Sequence, residues 1–103
     1  MSVSIAHIGV RMHPQRVAQI SARADSRAFT VMLDDDVIQH LCGDTRDENA
    51  MLLALTRNQD VLRIAIAAYV GARGVPLDDQ FLLSWRDFGE ASRGLVNAPR
   101  AAG

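Results

Sequence analysis

The densest run of side chains able to do chemistry is DDDVIQHLCGD, residues 34–44. Asp36 and His40 are four residues apart, which places a carboxylate and an imidazole on one face of a helix, and Cys42 and Asp44 follow. Carboxylate, imidazole and thiolate are all legitimate ligands for zinc or a similar ion. The spacing matches no established metal motif, however, and each residue has a plainer role: Asp34 to Asp36 as turn and helix-start residues, His40 as a half-exposed helix residue, Cys42 as a small buried apolar group. No metal and no other cofactor is expected. Nucleophilic catalysis by Cys42 would need a base aimed at the thiol and a third group orienting that base. His40 lies two residues away and therefore about 200° round the helix, which leaves only His7 and His13 to approach from elsewhere. The chain has no Gly-x-Ser-x-Gly elbow, no His-Glu-x-x-His and no Gly-x-Gly-x-x-Gly, so it is read as non-enzymatic.

A second chemical feature is the choice of cation. All 11 basic residues are arginine and none is lysine, which excludes a Schiff base, a lysine general base and the lysine of a phosphate-binding loop. With 15 alanines alongside them, the bias reads first as the codon preference of a GC-rich bacterial genome. Position is the more useful clue. Arg11, Arg16, Arg23 and Arg27 against Asp25 give residues 1–30 a balance of +3, whereas six acids against Arg46 give residues 34–48 a balance of −5. Arginine forks suit phosphates and guanine edges, so these four arginines carry the alternative reading, a nucleic-acid-associated regulator. Against it, Phe29 is the only aromatic in that half, and strand alternation would send some of the arginines to opposite faces.

The chain's 103 residues suit one domain with a core of its own. Hydrophobic content of 49% beside a charged fraction of 22% is ordinary globular composition. No apolar run approaches the length of a membrane span, and MSVSIAHIGVRMHPQR lacks a basic segment followed by an apolar one, so neither membrane insertion nor secretion is expected. A lone cysteine forms no internal disulfide, in keeping with a reducing, cytoplasmic setting. A net charge of −1 argues against a dedicated polyanion binder.

The elements that must position these residues follow from periodicity. Ser2 to Met12 alternates as a strand whose frame slips around His7, and His13-Pro14 breaks it. Arg16 to Ala24 and Ala28 to Leu33 flank the turn Asp25-Ser26-Arg27 and make a hairpin. A short helix from Asp36 to Leu41 ends at Gly43, and one long helix runs from about Asp47 to Arg73, stopped by Gly74 and Pro76. At 100° per residue, Met51, Leu55, Leu62, Ile66 and Tyr69 share its core arc, with Ala54, Asn58 and Ala65 beside it. Phe81 to Arg86 returns as a strand with Phe81, Leu83 and Trp85 on one face, and Asp87-Phe88-Gly89 closes the fold. The expectation is an α+β protein of two layers, an antiparallel sheet of three to four strands against one long helix. Residues 1–89 form the domain, and 90–103 are expected to be a largely disordered tail.

The order of these features, AFTVML, DDDVIQHL, ALTRNQDVLRIAIAAY and FLLSWRDF, resembles a family of small bacterial proteins known as domain of unknown function 1488, over roughly residues 10–88. The helix positions Leu55, Asn58-Gln59, Leu62 and Ala65 and the closing Asp87-Phe88 carry the resemblance. Leu55 stands where an aromatic is common there, and Asn58-Gln59 where His/Asn-Arg is common. The resemblance implies a sheet-plus-helix fold and no activity.

One feature of the long helix points outward. Leu53 and Ile64 project about 180° from the core arc, with Val61 and Ala68 on the shoulder of that direction, so one sheet cannot cover them. Leaving large aliphatics in water forgoes about 1.5–3 kcal/mol each. The leading expectation is therefore an interaction module, a homodimer or an adaptor for a protein partner, using Leu53, Val61, Ile64 and Ala68, with the acidic 34–48 segment steering basic partners.

Overall fold

Alternation of small or β-branched residues with polar ones builds the centre of the sheet. In the computed structural model, which describes residues 2–88, the strands are β1 (Val3–Arg11), β2 (Val17–Ala24), β3 (Arg27–Leu33) and β4 (Gln80–Leu83). Ala18, Ile20, Ala22 and Ala24 of β2 face the core with Phe29, Val31 and Leu33 of β3, while the intervening residues point the other way. Asp25 and Ser26 alone form the hairpin turn, with Asp25 at φ 55°, and Arg27 already pairs with Ala24. The slip near His7 is a β-bulge: Ile5 pairs with Ala22 and His7 with Ser21, so Ala6 is the extra residue, and Ile8 returns to the inner face opposite Ile20. The expected tail beyond residue 90 lies outside the described residues.

Three helices follow β3: α1 (Asp35–Cys42), α2 (Glu48–Arg57) and α3 (Gln59–Arg73). Asp34 caps α1, its side chain accepting from the Asp35 N–H at 2.8 Å, and Gly43 ends it at φ 68°, the left-handed region where a side chain would be strained. Asp47 caps α2 by accepting from the Ala50 N–H at 2.9 Å. The single long helix expected from residues 47–73 is interrupted at Asn58, whose ψ of 19° leaves helical geometry and whose side-chain amide donates to the Ala54 carbonyl at 2.8 Å. Asparagine competes for nearby backbone carbonyls in this way, and periodicity is blind to it because the buried face continues through the break, Met51 and Leu55 before it and Leu62, Ala65 and Ile66 after it.

The protein is α+β, with its helices on one face of a four-stranded sheet ordered β1-β2-β3-β4. The sheet is mixed rather than antiparallel. β4 pairs parallel to β3, Val31 opposite Phe81 and Leu33 opposite Leu83, because the intervening helices carry the chain back to the end of the sheet where β3 began. α2 and α3 lie over β1, and α1 packs on α2. β4 also stops earlier than expected. Ser84 and Asp87 close a tight turn in which the Asp87 carboxylate accepts from the Ser84 N–H at 2.9 Å and hydroxyl at 3.1 Å, and residues 85–88 turn helical. Trp85 is therefore not a third inward residue after Phe81 and Leu83. Phe88 is fully buried in its place.

Candidate functional site

The acidic cluster on α1 is held by its own neighbours. The Asp36 carboxylate accepts from the backbone N–H of Trp85 at 3.3 and 3.4 Å, tying α1 to the end of β4. His40 Nδ1 donates to the Asp36 carbonyl at 2.8 Å, and since a carbonyl only accepts, Nδ1 carries the proton in that bond. The imidazole also lies flat against the Trp85 indole. Asp44 accepts from the Gln39 amide at 2.7 Å. Cys42 points toward Met51, its Sγ 3.9 Å from that carbonyl, and burial pushes its thiol pKa up while the Arg16 guanidinium pulls it the other way. Asp36 and His40 are thus both engaged with Trp85, Asp44 with Gln39 and Cys42 with the Met51 carbonyl, and no group of three or more His, Cys, Asp or Glu among the described residues is placed to hold a metal ion. His7 faces outward from β1 and His13 lines a pocket before β2, and no hydrogen bond joins an imidazole to the thiol.

The four N-terminal arginines divide into two kinds. Arg16 donates to the carbonyls of Gly43 at 2.7 Å and Thr45 at 3.1 Å and to Gln39 Oε1 at 3.1 Å, fastening the entry of β2 to the link between α1 and α2. Arg27 pairs with Asp79 at 2.7 Å and donates to the Pro76 carbonyl at 2.8 Å, anchoring the start of β3 to the segment that enters β4. Arg11 and Arg23 remain exposed. Both lie on the sheet face away from the helices, Arg11 opposite Val17 and Arg23 opposite Ser4, about 20 Å apart along β2. No carboxylate occupies an outward position on any of the four strands, although the chain has 12 acids.

The outward helix residues are also redistributed. Leu53 on α2 is 50% exposed and Ala68 on α3 is exposed, whereas Val61 and Ile64 are half-buried and Val61 packs against the core. The break at Asn58 divides these four between two helices, so they do not form one straight seam. Leu52 at 37% exposure, beside Leu53, was not part of the expected stripe. It borders a groove of about 270 Å³ between α2 and β1, with Ile5 and Ile8 on the other wall. Its signal in the sequence is adjacency: Leu52 stands 100° from Leu53 on the helix, at the edge of the core arc.

No helix among the described residues is long and apolar enough to cross a membrane. No family model, curated protein or solved structure matches this chain.

Proposed function

We propose that the protein is a small, non-enzymatic, cytoplasmic interaction module that self-associates through the outer surface of α2 and the neighbouring edge of β1. The observation carrying this reading is the side-by-side exposure of Leu52 and Leu53 next to the groove lined by Ile5 and Ile8. Partial exposure of the two leucines leaves about 1 kcal/mol each ungained. β1 is an edge strand among the described residues, and a two-fold axis would set that edge antiparallel to itself, burying both leucines of each copy. Within the outward set, Leu53 carries the contact, with Ala68 at its margin and Val61 and Ile64 supporting it from α3.

Light scattering across a concentration series tests this. The wild type is expected to dimerise, and Leu53→Asp to be monomeric with an unchanged circular dichroism spectrum. A wild type that stays monomeric at high micromolar concentration overturns the reading.

The absence of acids from the outward strand positions favours a second reading, binding of nucleic acid. Arg11 and Arg23 would carry it, with Arg16 and Arg27 contributing only their remaining charge. A gel-shift titration at low and at physiological salt decides it: salt-sensitive binding weakened by Arg11→Ala and Arg23→Ala supports it, and no shift at low salt excludes it.

A further inference from the structure

The outer face of the sheet is polar over most of its area and apolar at one end. There Met32 on β3 stands beside Leu82 on β4, with Val17 at the start of β2. Leu82 is 56% exposed. This end is walled by the 12–16 loop, by Asp34-Asp35 at the start of α1, and by Arg46 from the link between α1 and α2. Together they surround a pocket of about 760 Å³, within the size range of small-molecule sites.

The charges around this pocket are unevenly committed. Arg16 is satisfied by three oxygens, and the Asp34 carboxylate caps α1. The Asp35 carboxylate and the Arg46 guanidinium have neither a hydrogen bond nor an ion pair among the described residues, and they do not reach each other. Among the described residues the pocket therefore offers a carboxylate and a guanidinium without protein partners, and an apolar floor. A purely cationic ligand would meet Arg46, a purely anionic one would meet Asp35, and an uncharged apolar one would cover both without partnering either. A ligand with both charges and an apolar body satisfies all three surfaces.

We propose that this pocket binds a small zwitterion with an apolar body, an apolar amino acid or short apolar peptide, with its carboxylate toward Arg46, its ammonium toward Asp35, and its side chain on Met32 and Leu82. The site lies on the opposite side of the sheet from α2 and α3 and is independent of self-association.

The test is a titration of the full chain with L-leucine and with trileucine, followed by the backbone amide signals of Val17, Met32, Asp35 and Leu82 in nuclear magnetic resonance spectra. At least one of the two probes is expected to shift these signals at millimolar concentration. N-acetylation or C-terminal amidation of the bound probe should weaken it about tenfold, since each removes one charge-assisted contact. Arg46→Ala should abolish the preference for the free carboxylate over the amide, and Asp35→Asn the preference for the free ammonium over the acetyl form. Both side chains are exposed, so the variants are expected to keep the fold, which an unchanged urea midpoint verifies. Binding of leucine itself identifies an amino-acid site, and binding of trileucine alone a peptide site. The proposal is overturned if neither probe moves these signals, if the capped probes bind as well as the zwitterion, or if the preferences survive in Arg46→Ala and Asp35→Asn.

Discussion

The imidazole of His40 lies parallel to the indole of Trp85, with ring centroids 4.1 Å apart and planes 5° apart. Phe88 stacks on the same indole, its ring 5.1 Å from that of Trp85. One exposed histidine on α1 and one fully buried phenylalanine near the end of the described chain thus contact the same indole.

Trp85 is the chain's single tryptophan, so its emission reports this stack directly. His40→Ala is expected to move the emission maximum to the red and to cost about 1 kcal/mol of stability, the usual worth of an aromatic pair beyond its area burial. His40→Phe should preserve the wild-type emission. An unchanged maximum in His40→Ala would mean that the imidazole does not shield the indole.

Phe88 fills the core where Trp85 does not. Phe88→Ala should destabilise the protein by about 3–5 kcal/mol in urea denaturation, as expected for a fully buried aromatic. A loss below about 1 kcal/mol would place residues 85–88 outside the cooperative unit.

The arginines should separate by stability, although the sequence presents them as one group. Arg16→Ala removes three hydrogen bonds from a charged donor and is expected to cost about 2 kcal/mol. Arg27→Ala breaks an exposed ion pair and should cost less than about 1 kcal/mol. Arg11→Ala and Arg23→Ala should stay within about 0.5 kcal/mol. Chemical denaturation of the four variants side by side checks the order.

Cys42 holds its proton to higher pH in the folded chain than in the unfolded one, because burial disfavours the thiolate more than Arg16 favours it. Folding stability is then unaffected below the ordinary thiol range and declines as pH rises through it toward the folded value. Cys42→Ala should lack this decline in denaturation curves taken at increasing alkaline pH. Alkylation by iodoacetamide at neutral pH should be slower in native protein than in urea, and equal rates would contradict the shielding of the thiol.

Much of the fold is legible in the residues themselves. The alternation of β2 and β3, the helix starts at Asp34 and Asp47, the stops at Gly43 and Gly74, and the bulge near His7 each depend on a few consecutive residues. The turn Ser84–Asp87 is equally local, but the alternation of Phe81, Leu83 and Trp85 masks it. The candidate site was less legible. Asp36 and His40 do share a helix face, yet what they meet is Trp85, separated from Asp36 by 49 positions.

The sequence alone determined the α+β class, the identity of most core residues and the ends of the early elements, because periodicity, capping and left-handed turns act within one or two helical turns. Tertiary structure decided that β4 runs parallel to β3, and that Arg16 and Arg27 are anchors while Arg11 and Arg23 stay exposed without a partner among the described residues. Those outcomes depend on which distant groups share a face or a hydrogen bond once the chain has crossed over the sheet, and no local spacing encodes them.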